Sequence, residues 1–173
     1  MILSHAPGRT ISEDELREKL VEGLSGVGKA GERWLVIVPD DTRTLPMPAI
    51  FSVLVSKLAP RVKDLAFLVA LGTHPPMTEE QLLSHFGPAY KDRPANVTVY
   101  QHAWDDPAAL ARIGRISREE MEEISRGLLR VEVEVEINRL VLGYDKILIV
   151  NPVFPHEVIG YSGGHKYLSL IHI

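Results

Sequence analysis

Three apolar runs set the frame of the chain. Trp34-Leu35-Val36-Ile37-Val38, Leu65-Ala66-Phe67-Leu68-Val69-Ala70-Leu71 and Asp145-Lys146-Ile147-Leu148-Ile149-Val150 are short and nearly unbroken. Strands that are apolar at successive positions are buried on both faces, the condition of a parallel sheet covered by helices. Val97-Thr98-Val99-Tyr100 is a shorter fourth strand. Between these runs the period becomes helical. Leu16, Leu20, Val21 and Leu24 form an apolar stripe behind Ser12-Glu13-Asp14-Glu15, which reads as a capping box. Ile50, Phe51, Leu54, Val55 and Leu58 form a second stripe, opened by Pro46 and Pro48 and stopped by Pro60. Thr78-Glu79-Glu80-Gln81 opens a third helix ending at Gly87, with His85 on its surface, and Ser117-Arg118-Glu119-Glu120 opens a fourth. Val131, Val133, Val135 and Ile137 alternate with Glu132, Glu134 and Glu136, the pattern of a half-exposed antiparallel or edge strand. Those glutamates read as a solvated strand face in preference to a cation site. The whole alternation predicts an α/β fold: one open, mostly parallel sheet with helices on both faces.

Composition narrows the classes. A chain of 173 residues suits one domain able to bury a core without disulfides. The absence of cysteine excludes a disulfide scaffold, a Cys-ligated metal site and a cysteine nucleophile, and fits a reducing, cytoplasmic setting. With 19 basic against 23 acidic residues and a net charge of −4, general nucleic-acid binding is not expected. No apolar run approaches the roughly 20 residues of a membrane helix, and Met1 to Thr10 lacks the apolar core of a signal peptide.

Ligands of open α/β sheets bind beyond the carboxyl ends of the strands, so the segments after each strand carry the candidates. The first is Pro39-Asp40-Asp41-Thr42-Arg43-Thr44-Leu45-Pro46, in which Arg43 offers a planar fork suited to a carboxylate or phosphate. The plainer alternative is a turn whose aspartate caps a helix and whose arginine pairs with an aspartate. The second is Gly72-Thr73-His74-Pro75-Pro76-Met77, which sets a titratable imidazole at a strand mouth. The third runs from Asn151 through His156 to Gly160-Tyr161-Ser162-Gly163-Gly164-His165-Lys166. A glycine-rich loop of this kind can present backbone N–H groups to a phosphate, and a lysine can act as cation or covalent anchor. It is not a P-loop, because the required spacing is absent. His5 and His102 have no companions, and His165 receives no role. Each signal alone is modest; their coincidence on Arg43, His74, His156 and Lys166 is what counts.

Asp40-Asp41-Thr42-Arg43…Pro46, Gly72-Thr73-His74-Pro75-Pro76-Met77-Thr78-Glu79-Glu80 and Pro155-His156…Gly160-Tyr161-Ser162-Gly163-Gly164-His165-Lys166 together resemble the nickel-pincer lactate racemase family, in the family's order. The resemblance covers about residues 30 to 167 and implies a Rossmann-like N-terminal domain. It implies a 2-hydroxy-acid racemase or epimerase working by hydride transfer. The implied cofactor is a nickel-pincer nucleotide (nickel pyridinium-3,5-bisthiocarboxylic acid mononucleotide), covalent on Lys166. The implied acid/base pair is His74 and His156. Asp40, Asp41, Thr42 and Arg43 match the cofactor-contacting segment, with Arg43 also near the substrate carboxylate. The residue types suit the chemistry, since imidazoles on either side of a carbinol can exchange its hydroxyl proton in both directions. A clamp on the carboxylate lets a planar intermediate turn without leaving.

The sequence also departs from the family pattern. Thr44 and Glu157 stand where proline and a bulky apolar residue are common. The family's histidine ligand to nickel lies well downstream of the lysine. His172, six residues after Lys166, is too close for that spacing, so no metal ligand is expected here. The expected organisation is therefore an N-terminal catalytic and cofactor domain over 1–167 that needs a C-terminal domain to act and is inert by itself. Residues 168–173 form a non-native tail, because Leu-Ser-Leu-Ile-His-Ile is what the adapter-like string CTG TCT CTT ATA CAC ATC encodes. The competing readings are a non-catalytic nucleotide- or anion-binding α/β module and a metal-assisted hydrolase using His74 and His156, which lacks a recognisable ligand triad.

Overall fold

A computed structural model describes residues 8–157 and 160–171. His5, the Val158-Ile159 portion of the third loop and His172 lie outside the described residues. In chain order the elements are α1 (Glu13–Gly23), β1 (Arg33–Val38), α2 (Met47–Lys57), β2 (Asp64–Val69), α3 (Glu79–Phe86), β3 (Val97–Gln101), β4 (Leu110–Ile116), α4 (Arg118–Ile124), β5 (Val133–Asn138) and β6 (Lys146–Ile149). A short hairpin of β7 (Phe154–His156) and β8 (Gly160–Ser162) follows, then a 3-10 helix, Gly164–Ile171.

The unbroken apolar runs form one parallel sheet in the order β3-β2-β1-β6. Its register sets Val38 opposite Val69, Val69 opposite Gln101, and Ile37 opposite Ile149. The strands therefore end at nearly one level, and the three polar segments leave from that edge.

Alternate side chains of each strand serve opposite faces. Val36, Val38, Leu65, Phe67 and Val69 face Met47, Ile50, Phe51, Leu54, Leu82 and Phe86 from α2 and α3, with Leu16 and Leu20 of α1 packed behind. Phe51 meets Phe67 and Phe86 at ring separations of 4.6 and 4.8 Å, the spacing of favourable tilted aromatic pairs. On the other face Leu35, Ile37, Ala66, Leu68 and Ala70 are buried with Tyr167. That face is closed by 3-10 turns, Arg139–Gly143 and Gly164–Ile171, which bring Leu140, Val141 and Leu168 against it. Helical cover thus exists on both faces, α-helical on one and 3-10 on the other.

The helix starts follow the sequence signals. Ser12, Thr78 and Ser117 each cap a helix reciprocally with Glu15, Gln81 and Glu120. The alternating Val/Glu segment is β5, antiparallel to β4 with a bulge between Arg112 and Gly114. Its glutamates face arginines, with Glu134 2.6 Å from Arg112 and Glu132 3.3 Å from Arg115, as a solvated strand face requires. Among the described residues no helix is long and apolar enough to cross a membrane.

Candidate active site

β1 delivers Asp40 to the sheet edge as a buried residue, only 5% exposed. An isolated carboxylate there would be costly, so its partners decide its state. Oδ1 accepts hydrogen bonds from the Thr42 backbone N–H at 3.2 Å and from the Thr42 hydroxyl at 2.6 Å. Oδ2 lies 2.5 Å from Nδ1 of His74. Burial pushes the carboxyl pKa up, but the bonds from Thr42 and His74 outweigh it and hold the group below the usual aspartate value. An ionised carboxylate only accepts, so Nδ1 of His74 carries the proton and donates it. Nε2 is then the ring nitrogen able to accept, on a side chain that is half exposed.

The plainer alternative for this loop is not what the structure shows. Helix α2 begins after Pro46 without a side-chain cap, so neither aspartate caps it. Asp40 is engaged by His74, and Asp41 accepts from the Gln81 amide at 3.3 Å. Arg43 lies instead in the wall of a hollow of about 140 Å³ with Asp40, Thr42, Gly72, Thr73, His74 and Tyr167. His74 and Asp40 also line a second hollow of about 270 Å³, with Asp41, Met77 and Gln81.

The lysine reaches this edge from the third loop. What sequence reasoning treats as one loop is the β7–β8 hairpin followed by a tight turn, with His156 opposite Gly160. The Asn151 side chain fixes that turn, accepting from the Gly164 N–H at 2.9 Å. Gly163 has φ +88, and a Cβ on it would stand 2.4 Å from the Pro152 carbonyl oxygen, so glycine is required there. Lys166 then lines a small chamber with Arg43, Ser162, Gly163 and Tyr167. The structure therefore brings Asp40, Thr42, Arg43 and His74 together and sets Lys166 beside them across Arg43. His156 lies on the hairpin, its Nδ1 3.8 Å from the exposed Glu157 carboxylate, and does not line either chamber. The Glu157 backbone N–H and the His156 ring hold that carboxyl below the usual glutamate range.

Three contributors were not singled out from sequence. Gln101, at the end of β3, accepts from the Met77 N–H at 2.7 Å and donates to the Met77 carbonyl at 2.9 Å, clamping the His74 loop. Asn151 does the corresponding service for the lysine turn. Tyr167 forms the wall between the two chambers. Gln101 and Asn151 are polar residues at strand carboxyl ends, a signal the strand-end rule could have used. Two histidines need correction. His85 is not on the surface: it is 9% exposed and donates from Nε2 to the Pro39 carbonyl at 3.0 Å, bracing the base of the aspartate loop. His102 is not without a companion: it is 1% exposed and accepts from the Asn138 amide at 3.0 Å. His165 borders a larger hollow of about 650 Å³ whose wall is aliphatic, with Ile113, Val135, Ile137, Ile147 and Ile149. That hollow holds none of the polar candidates, so size does not locate the site.

Comparison with known proteins bears on the same segments. A profile of the lactate racemase N-terminal domain matches residues 14–170. The chain belongs to the lactate racemase N-terminal domain family. It is 27% identical over 164 residues to a lactate racemase of Lactiplantibacillus plantarum, covering 90% of this chain and 35% of that protein. A crystal structure of a Thermotoga maritima protein superposes with a TM-score of 0.82 at 28% identity, covering 96% of this chain and 40% of that one. The lactate racemase apoprotein of Thermoanaerobacterium thermosaccharolyticum superposes with a TM-score of 0.71 at 20% identity over 94% of this chain and 37% of its own, a likeness of fold. The chain thus spans between a third and two-fifths of the length of these relatives.

Proposed function

We propose that this chain is the cofactor-holding and proton-handling part of a 2-hydroxy-acid racemase or epimerase. The observation that carries the reading is the His74–Asp40 pair opening onto Arg43, with Lys166 across the guanidinium. The membership of the lactate racemase family supports the parent activity.

The residues fit a nucleotide cofactor of the kind the resemblance implies. Lys166 lines a small chamber of mixed character with Arg43, Ser162 and Phe154, next to a turn where any Cβ would collide with the backbone. That chemistry suits an acyl-type attachment at the amine and an anionic group at the guanidinium. Among the described residues no cluster of metal-ligating side chains stands with them. When bound, the nickel-pincer nucleotide would supply the acceptor and donor of hydride.

Everything else in the step falls to side chains. Nε2 of His74, held by Asp40, takes the hydroxyl proton of a bound 2-hydroxy acid or returns it to the keto form. His156 does the same from the other face. Arg43 holds the substrate carboxylate through two parallel N–H bonds, so that the planar intermediate turns within the site. A cytoplasmic setting and a small-molecule substrate complete the reading, and the activity belongs to a protein of the family's full length.

Co-expression of that protein with the enzymes that make the cofactor tests this. A mass increment mapping to Lys166 is expected. It should persist in His74→Ala while racemisation is lost. An unmodified Lys166, or full racemisation by His74→Ala, would overturn the reading in favour of an anion-binding module.

A further inference from the structure

Tyr167 has no part in the chemistry above, yet it is 3% exposed and occupies the centre of the second face. Its ring packs with Leu35, Ile37, Ala66, Leu68 and Ala70. Its hydroxyl end reaches the polar edge, where, beneath the larger effect of burial, the Arg43 guanidinium and the Asp40 charge both act on it. Arg43 and Tyr167 are the two residues shared by the wall of the His74 hollow and the wall of the Lys166 chamber. The same tyrosine directly follows the lysine in the 3-10 turn Gly164–Ile171.

These placements have a physical consequence. A loop arginine retains much rotamer freedom unless something fixes its head, and ordering it at binding costs affinity. A phenol held by a packed ring is a rigid acceptor. Burial, the largest influence on Tyr167, keeps it protonated, and the guanidinium opposes this without overcoming it, so the oxygen stays neutral and able to accept.

We propose that Tyr167 is a positioning residue: its phenolic oxygen fixes the Arg43 guanidinium at the boundary between the His74 hollow and the Lys166 chamber. The remaining N–H groups of Arg43 then face an anionic ligand that spans both. One hydroxyl also fastens the lysine-bearing turn to the arginine loop. This rests on the reading that Arg43 takes a carboxylate or phosphate, and it adds what aims it.

The test uses Tyr167→Phe, which keeps the ring and removes the oxygen. In the 173-residue chain the Arg43 Nε–H resonance, assigned by its loss in Arg43→Lys, should exchange about tenfold faster in the variant while the thermal midpoint holds. Affinity for nicotinic acid mononucleotide should fall about tenfold in Tyr167→Phe, with no further fall when the change is added to Arg43→Lys. Unchanged Arg43 exchange, or an equal loss of affinity in the Arg43→Lys background, would overturn the proposal. The reciprocal measurement needs no tyrosine variant: Arg43→Gln should shift the Tyr167 ζ-carbon resonance, and an unmoved signal counts against the contact. If the wild-type chain binds no mononucleotide, the cofactor reading fails, and the Arg43 and Tyr167 resonances still decide the positioning role.

Discussion

Asp40 and His74 meet at 2.5 Å across the mouths of two adjacent parallel strands, with the carboxylate buried and the imidazole half exposed. The contrast in exposure assigns the parts: the aspartate is turned inwards and fully engaged, and the histidine is the member that can touch a ligand. Thr42, whose hydroxyl and N–H both bind the same carboxylate, holds the aspartate in place.

Asp40→Asn should therefore damage proton transfer more than ligand binding. An amide at this position can present a donor to Nδ1 and favour the wrong tautomer. The expected loss in kcat is about 100-fold, with KM little changed. Nitrogen-15 spectra of His74 check the cause, since wild type should show the proton on Nδ1 and the variant a shift towards Nε2.

Stability should decline in mild acid. Burial holds both His85 and His102 below the ordinary histidine value of 6.5, so between that value and their folded values the unfolded chain binds more protons. Their contribution is present above about pH 6.5 and is lost as pH falls through the window beneath it. His102 has a further reason to resist charging. The Asn138 amide donates to its Nδ1 and is held in that orientation by the Leu140 N–H on Oδ1. A proton on Nδ1 would set two donors face to face. Urea midpoints at pH 7.5 and 5.5 should differ, and His102→Gln should flatten the difference. Asp40 acts in the same sense in a more acidic window: its depressed pKa adds stability above 3.8 that is lost as pH falls below that value.

Gly163→Ala should disturb the lysine turn specifically. The added methyl meets the Pro152 carbonyl at 2.4 Å on a backbone with φ +88, a strain of about 1–3 kcal/mol. The chain should remain folded, because this turn lies outside the α-helical face of the sheet. Labelling of Lys166 by an amine reagent should change in rate while other lysines keep theirs.

Phe67→Ala should cost about 3–5 kcal/mol, as a fully buried ring that touches both Phe51 and Phe86. Ile113→Ala, at a position 51% exposed, should cost under about 1 kcal/mol. Denaturant titration of the two variants separates the buried core from the open aliphatic wall.

The sequence carried the parallel sheet because runs such as Leu65 to Leu71 are apolar at successive positions, which only double-sided burial explains. The helix starts were readable because each capping box pairs a hydroxyl with an acid or amide three residues on. Strand β4 was not readable, since the exposed Arg112, Gly114 and Arg115 break its alternation at the bulge. The β7–β8 hairpin was hidden by Pro155 and by glycines that read as loop. For the site, His74, Arg43 and Lys166 were legible as polar residues at strand ends. Their relations were not: that Asp40 serves His74, that His85 braces Pro39, and that Tyr167 divides two chambers depend on packing across distant segments.

The level ending of the strands has a consequence for how such a protein can change. Val38, Val69 and Ile149 belong to one rigid lattice of main-chain bonds, and the candidate groups Asp40, Arg43 and His74 stand two to five residues beyond it. Substitutions in the protruding segments can therefore redraw what is recognised without disturbing the lattice, and substitutions within the lattice alter robustness without redrawing recognition. A scaffold divided in this way lets selection explore new ligands at low risk to folding.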